Sequence, residues 1–124
     1  MQYKKVNGVE LKRRFRGDEE ILKDMIDLFI EHSDDLVENI HSAITTEDGV
    51  NLKLHAHTMK GILNNFYAIK ASQISYELEI LGLKKNFSVA RETFEKLEEE
   101  IDVILSDLLE LKSNLNSNSN ETGH

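Results

Sequence analysis

One segment of the sequence combines a histidine, two lysines and a glycine at helical spacing. Lys53 precedes His57 by four residues, Lys60 and Gly61 follow it, and the stretch 50–66 contains no Asp or Glu. A neutral imidazole has a ring-nitrogen lone pair available for attack, and lysine ammonium groups attract negative charge. These residue types predict a nucleophilic histidine that handles an anionic group.

Helical periodicity predicts that this group faces solvent. At about 100° per residue, one set of apolar side chains lies about 180° to 260° from His57. These are Leu52, Ala56, Met59, Leu63 and Phe66. Lys53, Lys60, Gly61 and Asn64 instead fall within about 60° of His57. A glycine inside a helix costs about 1 kcal/mol relative to alanine. Gly61 therefore suggests a clearing for the close approach of another molecule, the alternative being neutral drift beside an ordinary surface histidine.

Composition restricts the remaining function classes. The chain has 124 residues, 15 Lys+Arg against 23 Asp+Glu, and a net charge of −8, which argues against nucleic acid and anionic membranes as ligands. The absence of cysteine excludes disulfides, thiolate metal sites and cysteine nucleophiles, and with no signal sequence or membrane-spanning run the expected location is the cytoplasm. No glycine-rich nucleotide-binding loop is present, so the sequence does not predict a kinase or another nucleotide-dependent enzyme.

Apolar residues recur every three to four positions, and the chain contains no proline, which predicts an all-α protein. We expect Asp18 to cap a first long helical stretch, with Ser33–Asp35 able to start a second helix within it, and this choice stays open. A further helix spans about 50–66. The next one carries Ala71 to Leu81, with Asn86 as a left-handed cap, and Ser88 caps the last. The predicted fold is an antiparallel four-helix bundle with a short N-terminal helix or arm.

The polar, low-complexity end of the chain sets the predicted domain boundary. Residues 1–112 form the bundle domain, and residues 113–124, rich in Ser and Asn, form a disordered tail because they offer little apolar surface to offset the entropy of ordering. The bundle is expected to be a monomer.

The histidine segment resembles a known family. The run Ala56-His57-Thr58-Met59-Lys60-Gly61 is similar to the Ala-His-x-Leu-Lys-Gly signature of histidine-containing phosphotransfer (HPt) domains. The entry segment 15–22 and the long acidic last helix also fit the family, so the resemblance covers about residues 9–112. The chain departs from the family at Asn64 and Tyr67, where small or glycine residues are frequent, and these departures bear on partner choice.

The resemblance implies a phosphorelay function and a role for each matching residue. His57 is the phosphoacceptor, Lys60 stabilises the phosphoryl group, and Gly61 provides steric clearance. Apart from the resemblance, we expect Lys53 and Asn64 to support the site because they share the face of His57. The implied partners are response-regulator receiver domains and a hybrid sensor kinase, with no nucleic acid or membrane partner. The protein itself needs no cofactor, because the Mg²⁺ is expected on the receiver and no carboxylate is expected near His57. The protein is thus a phosphocarrier rather than an enzyme.

Two other functions compete with this interpretation. The first is a non-catalytic helical interaction module in which His57 is never phosphorylated, and the second is a metal carrier within the bundle. His41 follows Glu38 at a spacing used by bundle metal sites, but the sequence offers no second copy of that pair. His55 is expected at the edge of the core, and His32 lies with His41 among acidic residues on the first long helical stretch.

Overall fold

The computed structural model describes residues 5–122, and the side chains of residues 5–116. Five helices follow one another along this part of the chain, which contains no strand: α1 (Gly8–Arg14), α2 (Glu19–Thr45), α3 (Gly49–Asn65), α4 (Ile69–Lys84) and α5 (Phe87–Thr122). The all-α prediction is confirmed, and α1 is the short N-terminal helix.

The four long helices form a bundle around one apolar core. Helix α2 packs on α3, α3 on α4, α4 on α5, and α5 returns to α2, so α3 and α5 are diagonal partners. Every apolar residue predicted to lie opposite His57 on α3 is at most 2% exposed. The helical period therefore predicted the buried side of α3 correctly, because an amphipathic helix must turn its apolar stripe to the core.

The three short connections between the long helices share one geometry. Each preceding helix ends in a pair of backbone bonds in which the outer amide reaches back five residues, from Asp48 to Ala43, from Ala68 to Leu63, and from Asn86 to Leu81. The residue before each of these amides is left-handed, with φ of 55° to 56°, and none of the three is a glycine: Glu47, Tyr67 and Lys85. The pattern is the Schellman motif. The prediction that Asn86 is left-handed is wrong by one residue.

Helix starts differ from the sequence prediction in two places. Asp18 occupies the N-cap position of α2, but its side chain makes no capping hydrogen bond. Helix α5 begins at Phe87, before Ser88, and the Asn86 side chain accepts from the Val89 amide at 3.4 Å. An asparagine caps as well as a serine does, so the turn that positions Asn86 decides between them.

The first long helical stretch is one helix of 27 residues and not two helices in sequence. Ser33 is buried, and its hydroxyl donates to the Ile30 carbonyl at 3.5 Å, so it does not cap a new helix. A serine in the middle of a helix can satisfy its hydroxyl by bonding a carbonyl of the preceding turn.

The N-terminal arm is fastened to α5 by two carboxylates. The Lys5 ammonium lies 2.9 Å from Glu100 Oε2, and the Lys5 amide donates to Asp107 Oδ2 at 2.7 Å. Glu100 and Asp107 are both buried. Because buried carboxylates need partners, these two contacts of Lys5 hold the arm and α1 against the bundle.

The expected start of the tail at Ser113 does not coincide with a helix end. Helix α5 continues to Thr122, and Leu115 is buried, because it extends the stripe of Leu108 and Leu111. The division of the chain at residue 112 stays a prediction, and the tail's side chains from 117 onward lie outside the described residues. Within the described part of the chain, no helix is both long enough and apolar enough to span a bilayer.

Candidate functional site

The sequence-predicted site residues lie together on the exposed face of α3. The His57 side chain is 64% exposed. Lys53, Gly61 and Asn64 are exposed as well, and Lys60 is partly covered. A Cβ atom built on Gly61 meets no atom within 4 Å, so this position borders open space. The predicted grouping of these five residues on one face is confirmed, while their roles stay predictions.

A carboxylate from α4 completes the group, and the expectation of no carboxylate near His57 is wrong. Glu79 Oε1 lies 2.8 Å from His57 Nδ1 and 3.2 Å from the Lys60 ammonium. Since the two nitrogens share one oxygen, they are at most 6.0 Å apart, the sum of these distances. Counting charges along α3 alone missed Glu79, because this residue reaches His57 across a helix interface.

Burial and its two partners act in opposite directions on the Glu79 carboxyl. Burial is the largest single influence and raises the pKa. The hydrogen bonds from His57 and Lys60, together with their charges, outweigh burial and leave the pKa of Glu79 below its usual value. Glu79 is therefore ionised at neutral pH.

An ionised Glu79 determines which nitrogen of His57 carries the proton. A carboxylate accepts hydrogen bonds and has none to donate, so the Nδ1–H group donates to Glu79. The neutral ring then has its lone pair on Nε2, and no side chain among the described residues hydrogen-bonds that atom. This is the nitrogen available for attack on an incoming electrophile.

An aromatic ring is the other α4 contribution. The Lys60 ammonium lies 4.8 Å from the centroid of the Tyr76 ring, within the range of a cation–π contact. Tyr76 and Glu79 are three residues apart on α4, so they lie on the same face of that helix. The sequence prediction did not include Tyr76.

Two glycines explain why α4 comes so close to α3. A Cβ atom on Gly82 would lie 2.8 Å from the Lys53 amide nitrogen, and one on Gly49 would lie 2.5 Å from the Gly82 carbonyl oxygen. Only glycine allows this backbone contact. Gly82 inside the α4 segment was a sequence signal for a close neighbour, but it did not identify which helix that neighbour is.

The surface between the bundle helices includes two clefts of different size. One, of about 320 Å³, lies between α2 and α3 beyond Gly61, and its lining is mainly apolar: Met25, Leu28, Phe29, His32, Leu36, Ile62, Asn65 and Phe66. The other, of about 430 Å³, lies between α2 and α5, away from α3, and His41 packs there against Phe94 with ring centroids 5.4 Å apart. The smaller cleft is lined in part by Asn65, which follows Gly61 by one helical turn.

Three other histidines lie in the described part of the chain. His55 is half-buried at the edge of the core, as predicted, and His32 and His41 are exposed on α2. The described residues contain no group of three or more side chains suited to a metal ion. A bundle metal carrier therefore gains no support from the geometry.

Comparison with known proteins agrees with this geometry. No curated protein and no solved structure matches the chain significantly. A family model described as Hpt domain matches residues 24–107, about two thirds of the chain, a range that contains both His57 and Glu79. The chain thus belongs to the HPt domain family, whose members are helical phosphocarriers that transfer phosphoryl groups through histidine in two-component phosphorelays.

Proposed function

We propose that His57 is the phosphoacceptor of this HPt domain and that it relays a phosphoryl group between aspartates of receiver domains in a multistep phosphorelay. The supporting observation is the pairing of an exposed imidazole with a carboxylate on Nδ1, which leaves Nε2 as the open nucleophile. The protein acts as a monomer in the cytoplasm. Its upstream partner is a hybrid sensor kinase, and its downstream partner is a response regulator.

The transfer forms one bond and breaks one bond. Nε2 of His57 attacks the phosphorus of a receiver phospho-aspartate in line, the Nε2–P bond forms, and the P–O bond to the aspartate breaks to release a carboxylate. The Nδ1 proton stays on the ring and keeps its hydrogen bond to Glu79. The ring gains positive character during attack, and the carboxylate stabilises it. The reverse sequence passes the phosphoryl group to a second receiver.

Lys60 supplies positive charge to the phosphoryl oxygens. Lys60 follows His57 by one helical turn, and its ammonium shares Glu79 with the imidazole, so we expect both groups to act on one phosphoryl group. Lys53 adds a second positive charge on the same exposed face, and Asn64 supports the site from two turns after His57. The Mg²⁺ required for the chemistry belongs to the receiver.

The surface beside His57 suits the docking of a receiver domain. Gly61 leaves open space one turn after the histidine, and the apolar cleft between α2 and α3 lies beyond it. Leu28 lines this cleft and is 56% exposed, which is high for a large apolar side chain. Burial of such a surface in a transient complex supplies affinity, while His57 and Lys60 supply the chemistry.

The decisive experiment is phosphorylation by receiver domains previously phosphorylated with acetyl phosphate. The wild-type protein is expected to gain an acid-labile phosphate, His57→Gln to gain none, and His55→Gln to keep most of the labelling. ATP alone is expected to give no label. Acid-labile phosphate on His57→Gln would refute the site. Stable binding to receivers with no transfer from any of a broad panel would favour the non-catalytic interaction module instead.

A further inference from the structure

We propose that Tyr76 is a positioning residue for phosphotransfer, which acts by holding the Lys60 ammonium beside Glu79. The inference rests on the proposed function of His57. Its basis is that the Lys60 ammonium contacts two α4 groups at once, the Glu79 carboxylate at 3.2 Å and the Tyr76 ring at 4.8 Å from the centroid.

The ring restricts a side chain that the ion pair alone would leave mobile. Lysine has a long flexible stem, and an ion pair near the surface holds such a stem weakly because it must offset the lost rotamer freedom. Here the Lys60 side chain is only 24% exposed, although it sits beside the open face of His57. The aromatic contact therefore keeps the ammonium close to the imidazole instead of extended into water.

An aromatic ring is suited to this position for an electrostatic reason. A second carboxylate beside Lys60 would also hold the ammonium, but its negative charge would repel the incoming phosphoryl group. The ring face attracts a cation through its quadrupole and carries no net charge. Lysine also has three N–H donors, so bonding to one carboxylate leaves donors for phosphoryl oxygens.

Tyr76 is 49% exposed, so a direct contact with the receiver is the competing explanation. The two roles predict different kinetics. Loss of a receiver contact raises the receiver concentration needed for half-saturation, whereas loss of positioning lowers the maximal transfer rate. If Tyr76 acts by positioning Lys60, a Tyr76 substitution should have no effect on the rate in a protein that lacks Lys60.

The test measures single-turnover transfer from a phosphorylated receiver to wild type, to Tyr76→Phe, Tyr76→Leu and Lys60→Ala, and to the double variant Lys60→Ala/Tyr76→Leu. Tyr76→Leu is expected to lower the maximal rate about two- to fivefold at unchanged half-saturation, the size expected of an exposed cation–π contact. Tyr76→Phe, which keeps the ring, retains most of the rate. The double variant matches Lys60→Ala. Gln73→Leu, an exposed change one turn away on α4, is the neutral control.

A spectroscopic readout accompanies the rates. Protons on the Lys60 Cε atom are expected to show an upfield ring-current shift in wild type and Tyr76→Phe, and to lose it in Tyr76→Leu, with thermal unfolding confirming that each variant is folded. A wild-type rate for Tyr76→Leu, or an equal loss in the Lys60→Ala background, would overturn the positioning role. Failure of the wild type to be labelled on His57 would instead refute the proposed function.

Discussion

His57 and Lys60 share one oxygen atom, because Glu79 Oε1 binds the Nδ1 atom of the first and the ammonium of the second. This sharing links the nucleophile to the cation that stabilises its product. When a phosphoryl group reaches Nε2, its oxygens offer Lys60 a new anionic partner. Glu79 can then strengthen its bond to the Nδ1 proton as the ring becomes more positive. One carboxylate thus supports both stages of the proposed transfer.

Replacement of Glu79 by glutamine removes the charge and keeps the shape. Glu79→Gln is expected to slow transfer at saturating receiver about five- to thirtyfold, since hydrogen bonds to charged groups contribute ~1–2 kcal/mol at a partly exposed site. Glu77→Gln, on the exposed face of α4, is the matched control and leaves the rate unchanged. Single-turnover kinetics on both variants measures the difference. A Glu79→Gln protein as fast as wild type would remove the carboxylate from the mechanism.

The pH dependence of stability tests the same contact without a receiver. The pKa of Glu79 is lower in the folded chain than its usual value, so its contribution to stability is full above the ordinary glutamate range and is lost as pH falls through the folded pKa. The free energy of unfolding of wild type minus that of Glu79→Gln should therefore shrink as pH falls from about 6 to 3. Urea titrations at several pH values measure this difference. A difference that grows toward low pH would contradict the sign.

Substitution of Gly61 tests whether this glycine is needed for access to His57 or for the stability of the helix. Because a Cβ atom there meets nothing within 4 Å, Gly61→Leu is expected to remain folded with unchanged or higher helix stability. The same side chain lies within about 40° of His57 on α3 and should obstruct the receiver, so phosphotransfer should fall sharply. Thermal unfolding and phosphorylation rate are measured on the same preparation. A Gly61→Leu protein that is folded and fully active would show that no clearance is needed.

The apolar cleft beside Gly61 predicts where the receiver makes contact. Leu28→Glu should raise the receiver concentration for half-maximal transfer about fivefold, equivalent to ~1 kcal/mol of lost apolar burial, with the maximal rate unchanged. Leu109→Glu is the matched control, since Leu109 is 55% exposed on α5, the helix diagonal to α3. If Leu28→Glu and Leu109→Glu change half-saturation equally, the receiver does not bind specifically at the cleft between α2 and α3.

The parts of this site that lie on one helix could be predicted from the sequence, and the parts that depend on packing could not. His57, Lys60 and Gly61 share a face because the helical period fixes their directions, whatever surrounds α3. Glu79 and Tyr76 join them only because α4 packs on α3 in a particular register. That register depends on Gly49 and Gly82 touching through their backbones, a long-range relationship that no local pattern encodes.

The helix ends also depend on contacts that side-chain preferences alone do not predict. Side-chain preference predicted Asn86 as the left-handed residue, but Lys85 takes that conformation. The Asn86 amide is needed for the bond to Leu81, and its side chain is needed at the start of α5, so the preceding residue must turn. Tyr67 takes the same left-handed conformation after α3, a backbone position that glycine would adopt at lower cost.

The contact between α3 and α4 can be tested with a single methyl group. Gly82→Ala places a Cβ atom 2.8 Å from the Lys53 amide nitrogen and 2.9 Å from the Gly49 carbonyl oxygen, both in backbone that cannot rotate away. The two helices must separate by several tenths of an ångström, which is expected to destabilise the fold by ~1–3 kcal/mol and to outweigh the gain in helix propensity of about 1 kcal/mol.

Gly61→Ala is the matched control for this change, because it adds the same methyl group to a helix where no atom lies within 4 Å. Its free energy of unfolding should rise by up to about 1 kcal/mol, whereas that of Gly82→Ala should fall below the wild-type value. Urea unfolding of the three proteins, fitted with a common slope, gives the comparison. Because α4 carries Glu79, a separated interface should also slow phosphotransfer in Gly82→Ala. A Gly82→Ala protein at least as stable as Gly61→Ala would show that backbone contact does not set the spacing of the two helices.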